Sequence, residues 1–194
     1  MEEGYKHVYR ILGASSHTDR IREKDDFYAT IPDAIDYLLE GGAVISHNVW
    51  ECACGMGHLS KRLTELGYDV KSTDLVYRGF GEGDVDFLQQ TTPFNGTILT
   101  NPPYKQALEF IDHALELIPE GEKVFMFLKL QFLESRKRRK LFDTKQLKAV
   151  YVSSNRISCA DGGRFDQNYS SAIAYAWYEF EKGYCGDPVI KWIN

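Results

Sequence analysis

The sequence predicts an α/β protein: an open, mostly parallel sheet with helices on both faces, ending in an antiparallel hairpin. Three observations predict it. Residues 48–54 read as a buried strand that runs into a Gly-x-Gly turn and a helix, and residues 68–73 form a second strand that stops at Asp74. Strand, glycine turn, helix, strand and acid is how an open parallel sheet begins. The apolar runs at 96–99 and 123–133 then flank a stripe of Ala107, Leu108, Phe110, Ile111, Ala114, Leu115 and Ile118 at i, i+3, i+4 spacing, which is a helix between two strands. Finally, the strands at 147–152 and 171–180 are linked by a polar loop with no room for a crossover helix, so they pair antiparallel.

The chain has 194 residues, 43% hydrophobic and 26% charged, which suits one soluble domain with a substantial core. The expected organisation is an N-terminal arm over residues 1–26 and one folded domain over 27–194. The opening MEEGYKHVYRILG is acidic where a signal peptide is basic, and no run is long enough to span a bilayer. A cytoplasmic protein with no membrane partner is expected. Cys52, Cys54, Cys159 and Cys185 form no C-x-x-C pair, so no metal site is expected and the thiols read as free. A net charge of −5 argues against non-specific coating of nucleic acid but leaves room for a local basic patch.

Taken in order, Thr30 is placed to cap a helix with Pro32 and Asp33 in its first turn, and Gly41-Gly42 ends that helix. In the glycine turn, Gly55 and Gly57 let backbone approach a ligand, and the acid Asp74 can accept bonds from ribose hydroxyls. The turn falls short of G-x-G-x-x-G because Ser60 stands at the third glycine, which favours a ligand other than a dinucleotide. Residues 84–88 read as a short strand end carrying Asp86 and Phe87, and 123–133 as a central strand. The charged run at 134–140 follows that strand, and His113 reads as a surface residue of its helix.

The chain is organised around Thr100-Asn101-Pro102-Pro103-Tyr104, at the end of the strand that 96–99 opens. Each proline fixes φ near −65° and removes an N–H, and each pushes the preceding residue to extended backbone. An Asn amide, bare carbonyls and an aromatic ring are therefore held stiffly at a strand end. That set grips a planar amino group, with two acceptors for its N–H bonds and a ring for stacking. A proline turn capped by an aromatic is the alternative reading.

With its context, this motif resembles that of the S-adenosylmethionine-dependent amino-methyltransferases, in particular the DNA adenine-N6 methyltransferases of small phage or prophage type. The likeness runs from about residue 26 to about residue 181, through Tyr-Ala-Thr-Ile-Pro, the glycine turn and Asn-Pro-Pro-Tyr in that order. It implies a seven-stranded, Rossmann-like class I methyltransferase fold and S-adenosylmethionine as cofactor. It implies that Tyr28 and Thr30 lie near the cofactor carboxylate, and that Glu51, Cys54, Gly55 and Gly57 line the methionine moiety. Asp74 would bind ribose, Asp86 and Phe87 the adenine, and Asn101 would border both cofactor and acceptor. Asn101, Pro102, Pro103 and Tyr104 form the catalytic motif, in which Asn101 Oδ1 and the Pro102 carbonyl accept the two N–H bonds and Tyr104 stacks on a flipped base. It further implies that residues 27–194 form the catalytic domain, and the sequence departs from the family pattern in three ways: Glu51 stands where Asp is commoner, Cys52 where many members carry proline, and no separate target-recognition domain is expected.

The expected activity is methyl transfer to N6 of adenine in DNA. The alternatives are an RNA base, a protein glutamine amide, or an inactive cofactor-binding subunit of a larger assembly. The expected partners are nucleic acid, DNA or RNA, and either a specificity subunit or a second copy of the chain. Arg136, Lys137, Arg138 and Arg139 are candidates to hold phosphates beside the flipped base. Phe165 and Tyr169, in the loop after residue 157, are candidates to stack on it or wedge beside it.

Overall fold

The computed structural model describes residues 28–155, 157, 159–161 and 173–194. In chain order the regular elements are β1 (Tyr28–Thr30), α1 (Asp33–Glu40), β2 (Asn48–Glu51), α2 (His58–Glu65), β3 (Asp69–Ser72), β4 (Thr97–Thr100), α3 (Ala107–Leu117), β5 (Lys123–Lys129), α4 (Arg139–Asp143), β6 (Leu147–Ser153), β7 (Cys159–Asp161), β8 (Tyr175–Glu181) and β9 (Val189–Ile193). Seven of the strands form one sheet in the order β3-β2-β4-β5-β8-β6-β9. β8 lies antiparallel between β5 and β6, and every other pairing in the sheet is parallel. β1 and β7 form a separate antiparallel pair.

The central strands read as unbroken apolar runs because helices cover both faces of the sheet. Side chains alternate along β5. Val124, Met126 and Leu128 pack with Phe110, Ile111 and Ala114 of α3. Phe125 and Phe127 pack on the other face with Ala34, Ile35 and Leu38 of α1 and Leu59 and Leu63 of α2. Burying each of these large side chains contributes about 2–3 kcal/mol. Two polar ties set the helices in place. Trp177 Nε1 in β8 donates to the Ala34 carbonyl at 2.9 Å. Arg62 pairs with Asp36 at 2.7 Å, joining α2 to α1.

The sheet has the expected seven strands, with a different membership. Residues 84–88 are not a strand. Asp84 has φ +58°, and Asp86 Oδ1 accepts from Leu88 N at 3.0 Å, which turns the chain into a 3-10 helix at Phe87–Gln89. The seventh place belongs to β9, an edge strand that the sequence reading did not pick out. Thr30 does not cap α1: the cap position is Pro32, without a side-chain bond, and Thr30 is the last residue of β1. The basic run is a 3-10 turn at Arg136–Arg138 that continues into the single-turn α4. The arm over residues 1–26 and the candidates Phe165 and Tyr169 lie outside the described residues. Among the described residues, no helix is long and apolar enough to cross a membrane.

Candidate active site

Because β2, β3 and β4 are parallel, their carboxyl ends meet on one edge of the sheet, where open α/β sheets bind ligands. There Glu51, Asp74 and Asn101, with Thr30 from β1, line a cavity of about 480 Å³. That size is ordinary for a small-molecule site.

The turn after β2 shapes one wall. Gly55 and Gly57 have φ of +55° and +77°, a region that suits glycine. A Cβ on Gly57 would collide with the ring of Phe80. The turn is stitched to the end of β3: Cys54 N donates to the Thr73 carbonyl at 3.0 Å, and Gly55 N donates to Asp74 Oδ2 at 2.8 Å. The two glycines form the turn without lining the cavity.

Two acids stand in this wall. Glu51 is 2% exposed. Its Oε2 accepts from Ser60 N at 2.8 Å and from Ser60 Oγ, and Ser60 Oγ lies 2.7 Å from Ser72 Oγ. Burial raises the Glu51 pKa to about 8; the Ser60 bonds oppose the shift, and the charge on Asp74 adds to it. Asp74 is differently placed. Its Oδ1 accepts from Val76 N at 2.9 Å and pairs with Arg78 at 2.8 Å, so donors already surround the carboxylate. Leu75, 61% exposed, and Val76 offer an apolar wall beside it. Burial pushes the Cys54 thiol up to about 12 and raises Cys52 as well. Both therefore stay protonated and are poor nucleophiles.

The motif turn closes the far side. Asn101 Nδ2 donates to Thr30 Oγ1 at 2.9 Å, which ties the motif turn to the end of β1. Pro102, Pro103 and Tyr104 also line the cavity. Tyr104 rests on Tyr175 at 6.1 Å between centroids. Tyr175 stacks on Phe127 at 5.4 Å, and Phe127 meets Trp177 at 4.9 Å. This column of rings ties the motif to the core. Lys129 Nζ, at the end of β5, stands 5.1 Å from the Tyr104 centroid.

Of the residues expected in the site, Thr30, Glu51, Cys54, Asp74, Asp86, Phe87, Asn101, Pro102, Pro103 and Tyr104 all line this one cavity. Phe87 shows it only part of its surface, since the ring is packed against Trp50, Phe110 and His113. Tyr28 belongs to β1, but its side chain is not among those described. Arg136, Lys137, Arg138 and Arg139 stand away from the cavity lining. Arg138 is committed locally: it lies 4.3 Å from the Phe132 centroid and donates to the Phe132 carbonyl at 2.9 Å. Arg139 pairs with Asp143 at 2.7 Å, while Arg136 and Lys137 are exposed.

The sequence reading missed three partners. Ser60 holds Glu51, Arg78 holds Asp74, and Thr30 holds Asn101. The first left a signal: a serine at the third glycine of the dinucleotide pattern, within reach of the acid that ends the strand.

No family model matches the sequence, and no curated protein sequence matches it either. Solved structures do match its fold. A Listeria monocytogenes protein assigned as a class I S-adenosylmethionine-dependent methyltransferase aligns with a TM-score of 0.59 at 14% identity, over 97% of this chain and 71% of that one. A Pyrococcus horikoshii protein assigned as an RNA methyltransferase aligns with a TM-score of 0.55 at 13% identity, over 91% and 98%. A Lactococcus lactis protein assigned as a hemolysin aligns with a TM-score of 0.57 at 11% identity, over 88% and 95%. One architecture thus carries proteins described in quite different terms. The fold of this chain is that of the class I S-adenosylmethionine-dependent methyltransferases.

Proposed function

We propose that this chain transfers a methyl group from S-adenosylmethionine to an exocyclic amino nitrogen, N6 of adenine in DNA. The observation that carries the reading is that Asn101, Pro102 and Tyr104 line the same cavity as Glu51 and Asp74. Acceptor chemistry and cofactor chemistry then share one cavity.

The residues present fit the cofactor. Glu51 is a buried acid suited to an ammonium group. Asp74 keeps some acceptor capacity for a ribose hydroxyl, because a carboxylate has about four lone-pair sites and three donors are seen on it. Leu75, Val76 and part of Phe87 supply apolar surface for a purine. When bound, the cofactor supplies a methyl activated by its sulfonium. The protein's own part is to orient the acceptor. An adenine amino lone pair is delocalised into its ring. Accepting both N–H bonds, at Asn101 Oδ1 and the Pro102 carbonyl, draws the nitrogen towards a tetrahedral, nucleophilic state and stabilises the positive charge that develops. Asn101 is neutral, so it acts as a dipole and not as a base. Tyr104, propped by Tyr175, offers a firm ring to a base lifted out of its helix.

The test is labelled-methyl incorporation into DNA by the purified chain. Transfer is expected for the wild type and is lost in Asn101→Ala while cofactor binding persists. Transfer to RNA or to a glutamine amide instead would reassign the acceptor.

A further inference from the structure

The main sheet ends in β3 on one side and in β9 on the other. An edge strand carries unpaired N–H and C=O groups, and natural sheets guard them with charge, proline or a bulge. β3 is guarded, since Asp69 and Lys71 stand exposed on it. β9 is bare: Val189, Ile190 and Trp192 are 50%, 55% and 71% exposed. Its one charged residue, Lys191, is drawn back over its own sheet. Lys191 Nζ donates to Tyr151 Oη at 3.2 Å and lies 4.8 Å from that ring's centroid. The strand itself is well held. It pairs with β6 from Val189 to Ile193, and Ile193 is buried in the core.

We propose that β9 is the seat of a twofold dimer, in which it pairs antiparallel with β9 of a second copy of this chain. The direction of its backbone carries the argument. Ser154 N donates to the Ile193 carbonyl at 2.9 Å, so Ile193, and with it Lys191 and Val189, turns its backbone groups to β6. Alternation then turns the N–H and C=O of Ile190 and Trp192 to the open edge. A twofold axis at Lys191 sets Ile190 of each copy opposite Trp192 of the other. Every outward group of those two residues is then bonded in both copies. The side chains match as well. Ile190 meets Trp192 twice, a β-branched and aromatic pairing, on the face where β6 presents Val150 and Val152. Lys191 faces Lys191 at the axis, a repulsion that its withdrawal onto Tyr151 lessens.

Size sets the strength of this contact. The exposed apolar surface of β9 is on the order of 300 Å², an extent at which a patch on a monomer marks an interaction site. Stable complexes cover about 800 Å² on each partner, so the dimer is weak, with Kd on the order of 100 μM. β9 runs in the same direction as β5 and β4. The antiparallel junction therefore sets the two cavities on opposite edges of one continuous sheet, and each copy keeps a complete site. The inference does not depend on the methyl-transfer reading.

The test is sedimentation equilibrium of the full chain from about 10 μM to about 1 mM, with amide exchange followed at both ends of that range. The mass is expected to climb from 22.2 kDa towards twice that value. The Ile190 and Trp192 amides are expected to exchange fast in the dilute sample and slowly in the concentrated one, while Lys191 is protected in both. Ile190→Lys and Trp192→Lys change exposed positions outside the core, and each is expected to weaken the dimer by more than about tenfold with an unchanged circular dichroism spectrum. A mass of 22.2 kDa throughout would overturn the proposal. So would a dimer that survives both lysine variants, or one in which the Ile190 and Trp192 amides still exchange fast. Slow exchange of those amides in the monomer would also sink it, because another segment of the same chain then fills the edge.

Discussion

A carboxyl buried as deeply as Glu51 keeps its proton at neutral pH, and two pH dependences follow. Its pKa rises from 4.5 to about 8 on folding. The folded chain therefore binds more protons than the unfolded chain between those values. Stability is fully present below pH 4.5 and declines as pH rises towards 8. The group's share of that decline reaches a few kcal/mol, at about 1.4 kcal/mol per unit. Glu51→Gln cannot ionise, so the gap in Tm between wild type and variant should shift against the wild type from about pH 5 to about pH 9. Thermal melts across that range check it. The second dependence has the opposite sense. A cationic ligand prefers the ionised carboxyl, so cofactor affinity should rise up to about tenfold per pH unit and level off above 8. Calorimetry should then show a proton released on binding in wild type and none in Glu51→Gln. At the motif, removing the Asn101 acceptor should cost about 3 kcal/mol in the transition state, or more than a hundredfold in kcat.

Among the elements, the turn between β2 and α2 has the least freedom. Gly57 has φ +77° and lies under the Phe80 ring, so Gly57→Ala should destabilise the fold by about 1–3 kcal/mol and displace Phe80. Denaturant unfolding and the Phe80 ring resonances test this. What the sequence disclosed at this scale follows burial. β2, β4 and β5 are legible because both of their faces are covered, and α3 because its apolar stripe keeps a strict spacing. β1 is three residues long and is held by a partner 130 positions downstream, which local pattern cannot reveal. β9 is a half-exposed edge strand in which Val189, Ile190 and Trp192 face solvent, so burial imposes no alternation on its sequence. Residues 84–88 carry strand-forming side chains, but the positive φ of Asp84 and the Asp86 cap bond turn the chain locally. Within the site, single residues at strand ends were readable, because chemistry limits which types can stand there. Their partners were less so: Ser60 showed only as a departure from the glycine pattern, and Arg78 left no signal, because only the folded chain brings a guanidinium up to a given acid.

The whole molecule is acidic, with a net charge of −5, so any hold on nucleic acid must be local. The exposed Arg136 and Lys137 are the freer members of the basic run, since Arg138 and Arg139 are engaged at home. If both meet phosphates, the double change to Ser should make the slope of log K against log salt less steep by about 1.8, and should weaken all DNA sequences alike. Binding titrations at several salt concentrations read that slope. The central claim is that one sheet edge brings the cofactor acids Glu51 and Asp74 together with an amino-gripping turn at Asn101. It is tested most directly by mass spectrometry of nucleosides from unmethylated DNA incubated with the protein and S-adenosylmethionine. N6-methyldeoxyadenosine is expected with the wild type, and more than about a hundredfold less with Asn101→Ala. Cofactor binding with no methylated nucleoside from any DNA would contradict it.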